Sequence, residues 1–192
     1  MAISRLAKPL VFLASAAPLV LLIAGALGVA GYTLGPNPIR EMLHVTGKTA
    51  LNLLMITLVI TPLRQLSGQG EWIRPRRMLG LWAFTYALLH GLIYALLELE
   101  LDFSELGREI ARRPFILVGT LAWLALLPLA LTSTDGWMRR LGRRWQRLHR
   151  LVYPATALVI WHYAWQVKLD LLEPLLYALG LGLLLVLRRT SK

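Results

Sequence analysis

Four histidines, His44, His90, His149 and His162, carry the strongest capacity for chemistry in this 192-residue chain. Imidazole ligates metals, carries protons and donates hydrogen bonds, and inside a bilayer an ionisable side chain is costly enough to be a functional candidate by default. His90 lies 11 residues after Leu79, and His162 lies 11 residues after Leu151. Leu79 and Leu151 open two apolar runs, so at 1.5 Å per residue both rings stand roughly 16 Å along their helices. Two readings follow. Imidazoles at equal depth on parallel helices can clasp one iron from opposite faces, as the axial ligands of a b-type haem do. Alternatively, each ring hydrogen-bonds a neighbouring helix or lines a pocket. Trp161 and Trp165 flank His162, where they can wall a macrocycle or pack between helices.

His149 precedes His162 by 13 residues, about 20 Å by helical rise, within the basic run Arg143 to Arg150. Pro154 stands between the two and is expected to kink the helix. The residue 13 before His90 is Arg77, so a second histidine pair lacks its partner. His149 can serve a haem with another ligand, a flavin, a quinone head or a lipid phosphate, or be simply an interfacial basic residue. His44, at the outer start of an apolar run, reads as interfacial, with a periplasmic partner or proton uptake as the other possibility.

The elements that must position these rings are membrane spans. The chain is 57% apolar and 16% charged, against about 25% charged in soluble domains, and so short a chain cannot bury that much apolar surface in a water-facing globule. Disorder is excluded by the same hydrophobicity. A span needs about 20 apolar residues. The expected set is six, over residues 10–30, 44–63, 79–97, 115–132, 151–167 and 171–187. The first run exceeds a signal peptide's apolar region and is expected to be retained, kinked at Pro18. Two spans are weaker. Lys48 lies near the start of the second, where it is expected to snorkel. Glu173 and Pro174 shorten the clean core of the sixth. The remaining Trp residues mostly suit interfacial belts.

The connections differ in charge. One side holds 15 of the 21 Lys and Arg: Arg5, Lys8, Arg64, Arg74, Arg76, Arg77, the six arginines from Arg139 to Arg150, Arg188, Arg189 and Lys192. The other side holds the remaining 6, while one of its connections carries Glu98, Glu100, Asp102, Glu105 and Glu109. The positive-inside rule places both termini and the arginine-rich loops in the cytoplasm. The net charge of +11 then reflects topology and anionic lipid contact, not nucleic acid. There is no Cys, which removes disulfides, iron–sulfur clusters, thiolate ligation and covalent haem attachment. No Gly-x-Gly-x-x-Gly turn, P-loop or internal repeat is evident, so residues 1–192 read as one all-α transmembrane domain.

Several segments carry a resemblance: Gly35-Pro36-Asn37-Pro38, His44-Val45-Thr46-Gly47, Thr61-Pro62-Leu63-Arg64, Arg76-Arg77-Met78-Leu79-Gly80, Tyr86 to His90, Arg113-Pro114-Phe115, Leu129 to Ser133 and Trp145 to Tyr153. Together they resemble the MsrQ family, the haem-binding membrane subunits of bacterial MsrP–MsrQ protein-methionine-sulfoxide reductase systems, within the ferric-reductase-like transmembrane proteins. The resemblance implies a multi-pass protein of the inner membrane that takes electrons from the quinone pool, or from a flavin reductase. They would pass through haem b to a periplasmic molybdopterin subunit resembling MsrP, which repairs oxidised methionine. It places the haem ligands at His90 and His162 and a third haem- or redox-associated histidine at His149. It also links the family to FMN, for which no residues here give a position. Larger relatives carry two histidine pairs and a cytosolic flavin domain; Arg77 replaces one of those histidines here, and self-contained NADPH oxidation is not expected. The chain is thus expected to be an electron-transfer subunit and not the catalytic one. A transmembrane ferric reductase, or a transporter or scaffold using the histidines as polar contacts, is the alternative.

The absence of Cys makes the topology directly measurable. A membrane-impermeant thiol reagent applied to the periplasmic side is expected to label a Glu100→Cys variant and to leave Arg143→Cys unlabelled until the membrane is opened.

Overall fold

The computed structural model describes residues 2–190 apart from positions 74, 103 and 169, with side chains between positions 8 and 188 apart from position 30 as well. The side chains of Arg5, Arg74, Arg189 and Lys192, which enter the charge asymmetry, lie outside the described residues. Every regular element among the described residues is helical. The helices are α1 (Ala2–Ala26), α2 (Pro38–Ser67), α3 (Arg76–Ile93), α4 (Leu106–Arg112), α5 (Phe115–Leu131), α6 (Asp135–Leu141), α7 (Arg143–Leu148), α8 (Val152–Val167) and α9 (Leu172–Thr190). A π turn over Tyr94–Glu98 continues α3, and a 3₁₀ turn over His149–Leu151 leads into α8.

Local chemistry sets the ends of the longest helix. Asn37 Oδ1 accepts from the Arg40 N–H at 3.0 Å, Pro38 occupies the first helical position and Glu41 sits in the first turn. All three satisfy or complement the free N–H groups of a helix start. Gly68, at φ 68°, closes α2 by returning its N–H to the Arg64 carbonyl at 3.0 Å, a left-handed cap that costs little only for glycine.

Three stretches are long and apolar enough to cross a membrane: Lys8–Ala26, Pro38–Ser67 and Gly70–Glu98. Leu106–Arg112 with Phe115–Leu131, bent by 112°, makes a fourth if the pair is one span. α8 has 16 residues, about 24 Å of rise against a hydrocarbon core of about 30 Å. α9 carries Glu173 and two arginines within its 19 residues. Length and composition therefore support a membrane protein with three to four clear spans.

Two features refine the sequence expectation. Pro154 lies in the first turn of α8, where its missing N–H has no helical partner to lose, and regular α-helix between His149 and His162 is interrupted by the 3₁₀ turn over His149–Leu151. Lys48 does not snorkel alone. Its Nζ meets Glu173 Oε1 at 2.5 Å, and the other carboxylate oxygen accepts from the Tyr163 hydroxyl at 2.5 Å. The charges that weaken the second and sixth expected spans thus neutralise each other across α2 and α9.

Packing is organised by two helical pairs, α2 along α3 and α5 along α8, which meet through α3 with α5 and α2 with α8. Their shared core includes Leu51, Leu54, Leu58, Ala83, Leu126, Ala155 and Ile160. α9 lies against α2 and α8 and leaves Leu172, Leu175, Leu179 and Leu183 exposed, as a helix facing lipid does. α1 packs on α2 and α3 through one polar insertion. An unbroken helix would pair the Leu19 N–H with the Ser15 carbonyl. Instead the fully buried Tyr86 hydroxyl accepts from Leu19 N–H at 3.0 Å and donates to the Ser15 carbonyl at 2.7 Å. Pro18, which has no N–H to hold this turn closed, stands beside the gap.

Tyr86→Phe removes the group bridging a part-buried donor and a buried acceptor. It is expected to destabilise the bundle by about 1–3 kcal/mol, measured by chemical denaturation in mixed micelles.

Candidate functional site

The two helical pairs build the same local arrangement twice. In the first, His90 on α3 donates its Nδ1–H to the Leu43 carbonyl of α2 at 3.0 Å. In the second, His162 on α8 donates its Nδ1–H to the Phe115 carbonyl of α5 at 2.7 Å. A carbonyl oxygen only accepts, so the proton is on Nδ1 in both rings and the Nε2 lone pair is free. One turn beyond each acceptor stands a glycine. A Cβ built on Gly47 would lie 3.1 Å from His90 Cε1 and Nδ1, and one built on Gly119 would lie 2.8 Å from the same atoms of His162. Each ring therefore lies edge-on against a facing helix that has no side chain there. Leu43, Gly47 and His90 recur as Phe115, Gly119 and His162, each 72 positions later. The internal repeat absent from the sequence is present in the geometry.

The repeat brings the two imidazoles together, with centroids 6.1 Å apart and planes at 89°. Two imidazoles on opposite sides of one metal, with metal–nitrogen bonds of about 2 Å, place their centroids about 6 Å apart. Among the described residues there is no cluster of three or more His, Cys, Asp or Glu. A metal held here thus takes two protein ligands, and its remaining donors must arrive with it, as the four nitrogens of a porphyrin do. The donor set fits a bis-imidazole macrocycle and does not fit a tetrahedral protein-only metal site. The Phe115 ring, 5.6 Å from the His162 ring, adds an apolar wall. Thr46, fully buried, places its hydroxyl 3.5 Å from His90 Nδ1 while donating to the Met42 carbonyl at 2.6 Å.

His149 and Arg77 also stand 72 positions apart, but they do not form a second pair. His149 Nε2 lies 3.1 Å from the Thr132 hydroxyl, and its ring stacks on Trp145 at 3.8 Å, whose Nε1–H bonds the Thr132 carbonyl at 2.8 Å. Burial first, and then the Arg76 charge, hold His149 below the ordinary histidine range. Arg77 turns to Asp135 and Met138 of α6, and its guanidinium holds the Asp135 carboxyl below the usual range. His44 is exposed. Trp161 and Trp165 stack on each other at 5.8 Å and are both exposed.

Sequence reasoning named both rings of the central pair but missed what holds them: the Leu43 and Phe115 carbonyls, Gly47 and Gly119, and the Thr132–Trp145 setting of His149. A backbone acceptor leaves no trace in residue type. Gly47 and Gly119, each the only glycine of its helix, are the visible signals, since glycine weakens a helix unless something must approach closely.

Overpacking by the added methyl of Gly119→Ala is expected to cost about 1–3 kcal/mol, with Gly47→Ala milder at its longer contact. Gly91→Ala, which meets nothing within 4 Å, is expected to stabilise by up to about 1 kcal/mol. Denaturation of the three variants in micelles checks the order.

Comparison with known proteins agrees with this architecture. The family model described as "Ferric reductase like transmembrane component" matches residues 46–160. A Xanthomonas campestris pv. campestris protein named "Protein-methionine-sulfoxide reductase heme-binding subunit MsrQ" is 56% identical over 152 residues, covering 79% of this chain and 70% of that one. Proteins of the same name from Xanthomonas axonopodis pv. citri and Xanthomonas oryzae pv. oryzae are 55% and 53% identical, covering 80% and 83% of this chain and 69% and 73% of theirs. With the family model matching more than half of the chain, and relatives more than 50% identical over about four fifths of it, the chain belongs to the ferric-reductase-like transmembrane family, alongside relatives named MsrQ.

Proposed function

We propose that the chain is a haem b electron-transfer subunit of a protein-methionine-sulfoxide reductase system. The observation that carries this reading is the 6.1 Å separation of the His90 and His162 rings, each anchored through Nδ1 so that Nε2 is free. His90 and His162 would hold haem, with Gly47 and Gly119 giving the rings room and the surrounding Leu, Ile and Ala side chains excluding water. When bound, haem would supply a one-electron couple, which suits electron transfer. The two carbonyls fix ring orientation and tautomer, and a hydrogen bond to the distal nitrogen raises ligand basicity. No catalytic nucleophile or acid–base pair is needed.

In this reading the chain is one domain of six spans in the bacterial inner membrane, with both termini and the arginine-rich connections cytoplasmic. α5, of 17 residues, and α8, of 16, would cross as short spans. The His90–His162 pair then lies nearer the periplasmic side, since Phe115 opens α5 and Leu43 stands in the second turn of α2. That position favours delivery to a periplasmic molybdopterin subunit resembling MsrP. The quinone pool, or a flavin reductase, is the proposed donor. His149, packed on Trp145 near the cytoplasmic face, is the proposed contact for that donor or for an FMN. The names of the relatives support the haem and the reductase system.

The purified protein is expected to show a low-spin b-type haem spectrum. His90→Ala and His162→Ala should each remove most of the bound haem, whereas His149→Ala, whose ring is engaged by Thr132 and Trp145, should retain it. A colourless preparation from haem-replete cells would favour a transporter or scaffold. Reduction of ferric citrate without co-purification of a periplasmic oxidoreductase would favour a ferric reductase.

A further inference from the structure

α2 and α9 meet in three rungs. Lys48 Nζ lies 2.5 Å from Glu173 Oε1, the Tyr177 hydroxyl donates to Asn52 Oδ1 at 2.5 Å, and a Cβ built on Gly180 would lie 3.2 Å from Met55 Cε. On each helix the three positions follow the i, i+4, i+7 spacing of a single face. α8 joins the seam through Tyr163, whose hydroxyl donates to Glu173 Oε2 and whose ring meets the Tyr177 ring edge-on at 6.3 Å. The seam is not filled throughout. Met55, Glu173, Leu176 and Tyr177 line a cavity of about 310 Å³, at the lower end of the roughly 300–1,000 Å³ of small-molecule sites. Leu176 is exposed, so in a bilayer the cavity opens to lipid.

The polar end of this cavity is charged and not sealed. The side chains of Lys48 and Glu173 are 35% and 38% exposed, and an ionisable group within a membrane span is costly enough to be a functional candidate. Both keep hydrogen-bonding capacity. An ammonium has three donors and a carboxylate about four lone pairs; among the described residues Lys48 uses one donor and Glu173 takes two contacts. A bound molecule can therefore both accept and donate here, while Met55, Leu176 and the Tyr177 ring receive an apolar body. An anionic lipid head would set its charge against Glu173; a neutral head meets no such repulsion. Position narrows the choice further. Lys48 follows Gly47, against which the His90 ring lies, and Tyr163 follows His162. The polar end thus stands at the level of the histidine pair, about one helix width, or 10–12 Å, away.

We propose that the cleft between α2 and α9 binds the head of a benzoquinone or its quinol, entered from the lipid, with Lys48 donating to a quinone oxygen and Glu173 accepting from a quinol hydroxyl. Its use as the entry point for electrons rests on the electron-transfer reading above; the binding does not. His149, at the other end of the bundle, is then left to a soluble donor.

The test uses the full-length protein in detergent. A decyl-tailed benzoquinone is titrated and read by the thermal midpoint, with decylbenzene, which has the ring and tail without the oxygens, as the comparison. A saturable rise with the quinone and none with decylbenzene is expected. Leu176→Trp, which fills the cavity from its exposed side, and Glu173→Gln should each increase the half-saturating concentration roughly tenfold. Leu183→Trp, also exposed on α9, should titrate like the unmodified protein. Leu176→Trp leaves the ion pair intact and keeps the test decisive where Glu173→Gln does not fold. No rise overturns the proposal, as does an equal rise with decylbenzene, or a rise with the quinone that Leu176→Trp leaves unchanged. The binding is read without haem, so a colourless preparation would sink the electron-transfer reading and leave this site standing.

Discussion

Each histidine of the central pair is held by a hydrogen bond and a missing side chain acting together. The Nδ1–H reaches a carbonyl of the facing helix only because the glycine one turn further along lets the ring lie against that helix's backbone. In a low-dielectric interior an imidazole N–H without an acceptor is expensive, so the carbonyl selects one tautomer and one ring orientation. Two such units, built on α2–α3 and α5–α8 and packed together, bring the two ring centroids to 6.1 Å.

The same low dielectric explains other polar contacts in the bundle. Thr57 and Thr156 are buried, and each returns its hydroxyl to the carbonyl four residues earlier, at 2.7 Å. Thr132 and Ser133 do the same at 2.6 Å. A hydroxyl in such surroundings needs a partner, and the helix's own backbone is the nearest one. Where the backbone itself opens, at Pro18, the Tyr86 hydroxyl closes the gap from another helix. Lys48, Glu173 and Tyr163 extend the rule to charge: α9 is tied to α2 by an ion pair and to α8 by the Tyr163 hydroxyl.

The two ends of the bundle differ in how charge is settled. Between α3 and α5 the acids Glu98, Glu105 and Glu109 find Arg108 and Arg113 close by, so most charge is compensated within the connection. At the opposite end Asp135 neutralises Arg77, and Arg64, Arg76 and Arg188 have no carboxylate partner among the described residues. An asymmetry that reads in the sequence as a topology signal is, in three dimensions, also a difference in which charges find partners within the chain.

Residue type and order alone determined the membrane class, the helical fold, the apolar runs and the two histidines at matched depth, because hydrophobicity and helical rise are local properties. Near-uniform apolar runs also hid much. Nothing in the composition of α2 or α5 distinguishes the carbonyls of Leu43 and Phe115 from their neighbours, since every residue carries the same backbone acceptor. The repeat Leu43, Gly47, His90 and Phe115, Gly119, His162 is unreadable as sequence because only the glycines and histidines are shared. Lys48 and Glu173 each read as a defect in a span, and became partners only when α9 folded back against α2. Tertiary packing decided which groups meet across helices, because those meetings depend on interhelical register, which a one-dimensional pattern of apolar residues does not encode.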